Sequence, residues 1–146
     1  MKVRPSAIIV KDQAILTLRY RYQSTDVFAL PGGNPDPGET LQEALSRELT
    51  EELNIKAIAG TMVVCGEVIW REVSRETLHM VFATHITEGI PQINPEQTTA
   101  LEIVWLPVSE LHSRLLYPNF GKHIQQYLSN AVLPGYVGVA DQPYIC

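Results

Sequence analysis

The stretch that decides the fold is GNPDPGETLQEALSRELTEELNI, residues 33–55. It joins a cluster of helix breakers, Gly33 to Gly38, to a run of good helix formers, Leu41 to Leu53. Thr40 followed by Glu43 forms a capping box at the start of that run. Asn54, second only to glycine in tolerating the left-handed backbone that closes a helix, marks its end. On a wheel of about 100° per residue, Leu45, Leu49 and Leu53 lie within roughly 120° of Leu41, with Ala44 beside them. Glu48 and Glu52 fall inside this apolar arc and Glu51 at its edge, whereas Glu43, Ser46, Arg47 and Thr50 take the opposite face.

Solvated charges belong on that opposite face, so the three glutamates need another explanation. Like charges three and four residues apart cost about 0.2–0.5 kcal/mol each even on an exposed helix, and anions near a helix C-terminus oppose its dipole. Carboxylates crowded into a partly buried arc call for a cation. All-oxygen ligation with room for water and phosphate suits Mg²⁺, with Mn²⁺ as a second possibility. Gly33 and Gly38 also have the spacing of a phosphate-binding P-loop, but Glu39-Thr40 stands where that motif places Lys and a hydroxyl residue. A carboxylate there repels phosphate unless a metal lies between them.

Outward from this segment, Ser6 to Val10 and Ala14 to Tyr20 are expected to form a hairpin around Lys11-Asp12-Gln13, followed by a short strand from Val27 to Leu30. Downstream, strands are expected over Thr61 to Val73, Thr77 to Ile86 and Leu101 to Leu106, with a turn around Ser74 to Glu76. Ser109 is expected to cap a short helix through Leu116, and Asn119 another through Leu128, with Phe120, Ile124, Tyr127 and Leu128 on one stripe. The tail from Ala131 to Cys146 is too apolar to be free, so it packs on its own domain or on a second subunit, making a homodimer possible. This order of strands, helix, strands and helices gives an α/β class with a mixed sheet covered by helices.

The 146 residues match one domain, 1–146, without a linker or repeat. Eleven basic against sixteen acidic residues leave a net charge of −5, which argues against nucleic acid or an anionic membrane as partner. Cys65 and Cys146 form no metal or redox spacing, and a cytoplasmic location is the expectation. No apolar run is long enough for a membrane-spanning helix, and Met1 to Pro5 lacks a signal-peptide core.

The segment resembles the Nudix box, G-x5-E-x7-R-E-U-x-E-E-x-G-U with U a bulky aliphatic. Gly33, Glu39, Arg47, Glu48, Leu49, Glu51, Glu52 and Ile55 fall on it, and Asn54 replaces the second glycine. The resemblance implies a Nudix fold, an α/β/α sandwich around a mixed sheet, and Mg²⁺-dependent hydrolysis of a small nucleoside diphosphate derivative. ADP-ribose-like diphosphates, nucleotide sugars and (d)NTPs all stay open as substrates. It further implies that Glu48, Glu51, Glu52 and the backbone near Gly33 bind the metal, and that Arg47 pairs with Glu39 to hold the loop. The general base is then Glu48 or Glu52, or a glutamate outside the box, for which Glu96 and Glu102 are the candidates.

Weaker signals concern the substrate. Tyr20, Tyr22 and Trp70 are candidates for stacking on a base, and Arg19 and Gly33 for contacting the substrate. His79 and His85 share the non-apolar face of the Thr77 to Ile86 strand; they either line a pocket or are solvated. No Nudix subgroup signature fits, so the substrate stays open. The alternative function is a nucleotide-sensing Nudix domain without turnover. A protein-interaction module built on the acidic helix explains the charges but not the Gly33 to Glu39 spacing.

Overall fold

The computed structural model describes residues 1–145, so Cys146 lies outside the described residues. Among the described residues nine strands and two α-helices are arranged as α/β, with the strands divided between two mixed sheets. In the first sheet, β1 (Lys2–Ile8) lies parallel to β6 (Arg75–Glu88), β6 antiparallel to β5 (Lys56–Trp70), and β5 parallel to β9 (Gly135–Val139). In the second, β3 (Ala14–Tyr22) is central. It pairs antiparallel with β2 (Val10–Lys11), β4 (Thr25–Ala29) and β7 (Glu102–Pro107), and β4 pairs parallel with β8 (Leu116–Tyr117).

The expected hairpin at the start of the chain is replaced by a change of sheet. β1 begins at Lys2 and runs beside β6, and only after Ile9 does the chain enter the second sheet. The hairpin proper has a two-residue turn, Asp12-Gln13, both at positive φ (51° and 60°), which suits the twist of the strands it joins. The reason lies in burial: residues 5–8 are buried on successive positions, as for a strand covered on both faces.

α1 (Leu41–Leu53) buries Ala44, Leu45, Leu49 and Leu53 against a core that includes Ala7, Ile9, Leu16, Leu18 and Phe82. A second core gathers Ile15, Leu30, Val63, Val81, Leu116, Phe120 and Ile124. α2 (Gly121–Asn130) supplies Ile124 to it, with Tyr127 and Leu128 packed against its edge, so the expected stripe is present. No helix of the described residues is long and apolar enough to cross a membrane.

Three expectations for the second half need correction. β5 stops at Trp70, and Arg71–Val73 forms a 3₁₀ turn closed by Ser74 in the left-handed region. The helix expected from Ser109 is a single 3₁₀ turn, Val108–Glu110. The chain beyond it is recruited by the open edge of β4: Phe28 N–H donates to the Leu115 carbonyl and Leu30 N–H to that of Tyr117, both at 2.9 Å. Asn119 caps no helix. Its side-chain oxygen accepts from the Leu116 N–H at 3.1 Å and its amide donates to the Asp141 carbonyl at 2.9 Å, tying β8 to the tail.

The tail packs on its own chain. β9 extends the first sheet, the Ala140 N–H donates to the Glu67 carbonyl at 2.8 Å, and the Tyr136 hydroxyl donates to the Glu67 carboxylate at 2.7 Å. The Trp70 indole N–H donates to the Gln142 carbonyl at 3.0 Å, and Tyr144 meets Trp70 edge to face.

Candidate active site

α1 is set in place at both ends. The Thr40 hydroxyl accepts from the Glu43 N–H at 3.1 Å while the Glu43 carboxylate accepts from the Thr40 N–H at 3.0 Å, the expected capping box. Asn54 closes the helix at φ 54°, its N–H donating to the Thr50 carbonyl at 3.0 Å. The last carbonyls, which would otherwise add partial negative charge beside three glutamates, are engaged by the 90–98 loop. Gln92 N–H donates to Leu53, Asn94 N–H to Glu52 and the Asn94 side-chain amide to Glu51, at 3.0, 2.9 and 3.2 Å.

Arg47 ties the loop to the helix. Its Nε and Nη2 grip the two oxygens of Glu39 at 2.7 and 2.9 Å, and Nη2 also donates to the Asn34 carbonyl at 3.1 Å. Nη1 donates to Glu48 and Glu51, each at 3.1 Å, and Asp36 stands 3.4 Å from Nε. Glu39 also accepts from the Asp36 N–H at 2.7 Å. With Arg47 and that N–H on it, Glu39 is held below the usual carboxylate range.

Gly33 completes the arrangement from the loop side. A Cβ there would overlap the Glu48 carboxyl group, so only glycine lets the backbone lie directly on that carboxylate. Glu48 is only 16% exposed. Burial raises its pKa, while Arg47 pulls it back. Glu52 has no hydrogen-bonded cation, and burial followed by the neighbouring Glu48 charge pushes it up to about 7 against the opposing charge of Arg4.

A carboxylate pair in this state takes up either a proton or a cation. All its donors are oxygens, one wall is bare backbone, and both features fit a small hard cation that keeps water and phosphate oxygens in its remaining positions. Among the described residues no three acidic, histidine or cysteine side chains converge into a complete cage. Glu48 and Glu51 each meet Arg47 through one oxygen, so the residues fit a cation held by Glu52 together with the oxygens that Arg47 leaves over.

Beside this cluster lies a cavity of about 500 Å³ between the two sheets, walled by Tyr20 and Tyr22 from β3, Trp70 from the end of β5, and Tyr117 from β8. Tyr20 is near enough to Glu52 for that carboxylate to help raise its pKa, after burial, which links cavity and cluster. The ring pairs Tyr20–Tyr22 and Trp70–Tyr117 stack at centroid distances of 6.2 and 5.8 Å. Tail residues Gln142 to Ile145 close one side.

Of the sequence candidates, Gly33, Glu39, Arg47, Glu48, Glu51 and Glu52 therefore come together, and Trp70, Tyr20 and Tyr22 share the adjoining cavity. Arg19 does not line it; its guanidinium is spent on Asp26 at 3.2 Å and Glu102 at 3.1 Å, on the β3–β4–β7 surface. Glu102 is thereby tied to Arg19. Glu96 is exposed in the loop whose Asn94 holds the end of α1.

His85 is exposed, but His79 is completely buried, edge-on to Tyr117 at 4.8 Å, with neither ring nitrogen hydrogen-bonded. The expectation of a solvated histidine fails there because both faces of β6 are covered. Arg4, Arg75, Tyr117 and Tyr144 line the cavity without having been singled out from the sequence. They are scattered from β1 to the tail, and no spacing marks them.

The NUDIX domain family matches residues 2–127 of the chain. The CTP pyrophosphohydrolase of Escherichia coli K12 is 34% identical over 115 residues, covering 77% of this chain and 78% of its own. Among solved structures, a MutT NUDIX hydrolase from Burkholderia pseudomallei is similar with TM-score 0.71 and 26% identity, covering 85% of this chain and 96% of its own. The E. coli ORF135 protein is similar with TM-score 0.69 and 25% identity, over 92% and 94%. The family match runs from β1 through the glutamate helix into α2, and the chain belongs to the NUDIX family of pyrophosphohydrolases.

Proposed function

We propose that the chain hydrolyses the diphosphate linkage of a small nucleoside diphosphate derivative with the help of Mg²⁺ or Mn²⁺. The observation that carries the reading is the packing of Glu48 against the Gly33 backbone, with Glu52 coupled to it and an aromatic cavity alongside. Glu48, Glu51, Glu52 and the Gly33 carbonyl are the groups that would hold the cation. When bound, such a cation polarises phosphoryl oxygens and offsets the negative charge of the substrate.

The chain's own residues do the rest. Arg47, locked to Glu39, fixes the loop so that the Gly33 backbone keeps its distance from Glu48. We assign the proton of the attacking water to Glu52, with Glu48 as the alternative, because Arg47 already engages Glu48 and hydrogen-bonds no oxygen of Glu52. The aromatic cavity takes the nucleoside, burying a ring between apolar faces. The similarity to the E. coli CTP pyrophosphohydrolase supports a nucleotide substrate.

The test is a product assay over (d)NTPs, ADP-ribose and nucleotide sugars with Mg²⁺ or Mn²⁺. The expected result is metal-dependent release of a nucleoside monophosphate from at least one of them. Binding without turnover across the panel, under both metals, would replace the hydrolase by a nucleotide sensor.

A further inference from the structure

The aromatic cavity is lined by a guanidinium with a buried donor that nothing among the described residues pairs. Its ionised lining groups, among the described residues, are the guanidiniums of Arg4 and Arg75, and no carboxylate faces it. Arg4 is the better placed of the two. It lies on β1 opposite His79 of β6, with its Cζ 5.4 Å from the Tyr117 ring centroid and its Nη2 donating to the Leu30 carbonyl at 3.4 Å. Its Nη1 is buried and has no hydrogen-bond partner.

The surrounding side chains do not hydrogen-bond Arg4 Nη1: Glu48 and Glu52 feel Arg4 only through its charge, and His79 opposite has both ring nitrogens unpaired. Gln142 uses both ends of its amide, donating to the Leu116 carbonyl at 2.8 Å and accepting from the Asn119 N–H at 2.7 Å. The Gln142 main-chain carbonyl is taken by Trp70, and the Tyr20 hydroxyl is paired with Thr98 at 2.8 Å. A buried guanidinium proton without an acceptor is costly, and an oxygen brought in by a ligand relieves that cost. The aromatic lining of the cavity, Tyr20, Tyr22, Trp70 and Tyr117, favours a planar heterocycle as the group that brings it.

We propose that Arg4 is the specificity-determining residue of the cavity. A nucleobase enters between the aromatic faces and presents a ring carbonyl oxygen to the Arg4 guanidinium. Bases with such a carbonyl then bind in preference to adenine, which projects an amine in its place towards a wall already rich in donors and keeps only its ring nitrogens to accept. A site built around an unpaired donor rejects a ligand lacking the matching acceptor more strongly than an apolar slot rejects a change of size. This inference rests on the nucleotide reading above, but concerns base choice rather than bond cleavage.

The experiment uses the full chain in EDTA and follows quenching of Trp70 fluorescence by nucleoside monophosphates. Trp70→Phe identifies the part of the signal that comes from the cavity rather than from Trp105. IMP and AMP differ chiefly in a carbonyl against an amine, so the comparison needs no variant. IMP, GMP and UMP are expected to bind at least about tenfold more tightly than AMP. Arg4→Met and Arg4→Gln should each bring IMP and GMP to within about threefold of AMP, with the circular-dichroism melt reporting that the variant is folded.

Equal binding of IMP and AMP by the unmodified protein overturns the proposal. So does an equal loss of all nucleotides in both variants, or their displacement by inorganic phosphate, since Arg4 would then read the shared phosphate. Selective binding with no turnover under any metal would sink the hydrolase reading and leave this one standing. Turnover without base preference would do the reverse.

Discussion

Trp70 and Gln142 are joined by an indole-to-carbonyl hydrogen bond of 3.0 Å across 72 residues, so that the tail is latched to the end of β5 at the mouth of the cavity. The Gln142 side chain holds β8 in the same place. Gln142→Ala should leave the Asn119 N–H and the Leu116 carbonyl unpaired in a half-buried site and cost about 1–3 kcal/mol. Deletion of everything after Asn130 should lower the melting midpoint further without changing the number of chains per particle in light scattering, because β9 pairs within the chain. An unchanged midpoint in both cases would show that the tail contributes nothing to the fold.

Glu48→Gln and Glu52→Gln should each lower turnover by at least about 10²-fold, measured as kcat at saturating metal. Glu52→Gln should also raise the melting temperature in EDTA. The sign follows from its raised pKa: stability is fully present below the ordinary glutamate range and is lost as pH rises through about 7. With solvent screening the loss is on the order of 1–2 kcal/mol. A melting temperature in EDTA that is flat between pH 5 and 8 would contradict this, those limits being set about the pKa of about 7.

His79 sets the acid limit. Burial, with Arg4 nearby, lowers its pKa from 6.5 to about 3. A depressed pKa means stability that is present above 6.5 and lost as pH falls toward 3, by several kcal/mol, on the order of 3–4. Urea unfolding at stepped pH should show this limb, and His79→Leu should remove most of it. If the two proteins lose stability in parallel, acid unfolding has another source.

Asn54→Gly should change stability by no more than about 1 kcal/mol and leave kcat within about twofold. Both residues accept the observed φ of 54°, and the Asn54 contribution to the cap is its backbone N–H. Chemical denaturation and a single kinetic assay check this. A large gain in metal-dependent activity would mean that the asparagine disturbs the glutamates.

The parts legible in the sequence are those with a local cause. The capping box at Thr40, the left-handed Asn54 and the leucine stripe of α1 each depend on residues within one or two turns, and all are present as expected. The convergence of Glu39 on Arg47 was legible only through the resemblance, because a Gly-Pro loop can return at many angles. What stayed hidden depends on distant partners. β1 starts at Lys2 because β6, more than seventy residues later, offers its edge. Asn119 looks like a helix cap until Leu116 and Asp141 claim its side chain. His79 alternates correctly on its strand, yet period two says only which face it takes, not that Tyr117 covers that face.

The repulsion between Glu48 and Glu52 also bears on how this chain would respond to engineering. A screen for heat resistance carried out without divalent metal would reward any change that discharges Glu52, whose charge burial disfavours first and Glu48 second. The fastest route to a tougher protein then runs through the loss of its proposed chemistry. Only a screen that keeps the cation present from the start would make durability and activity pull in the same direction.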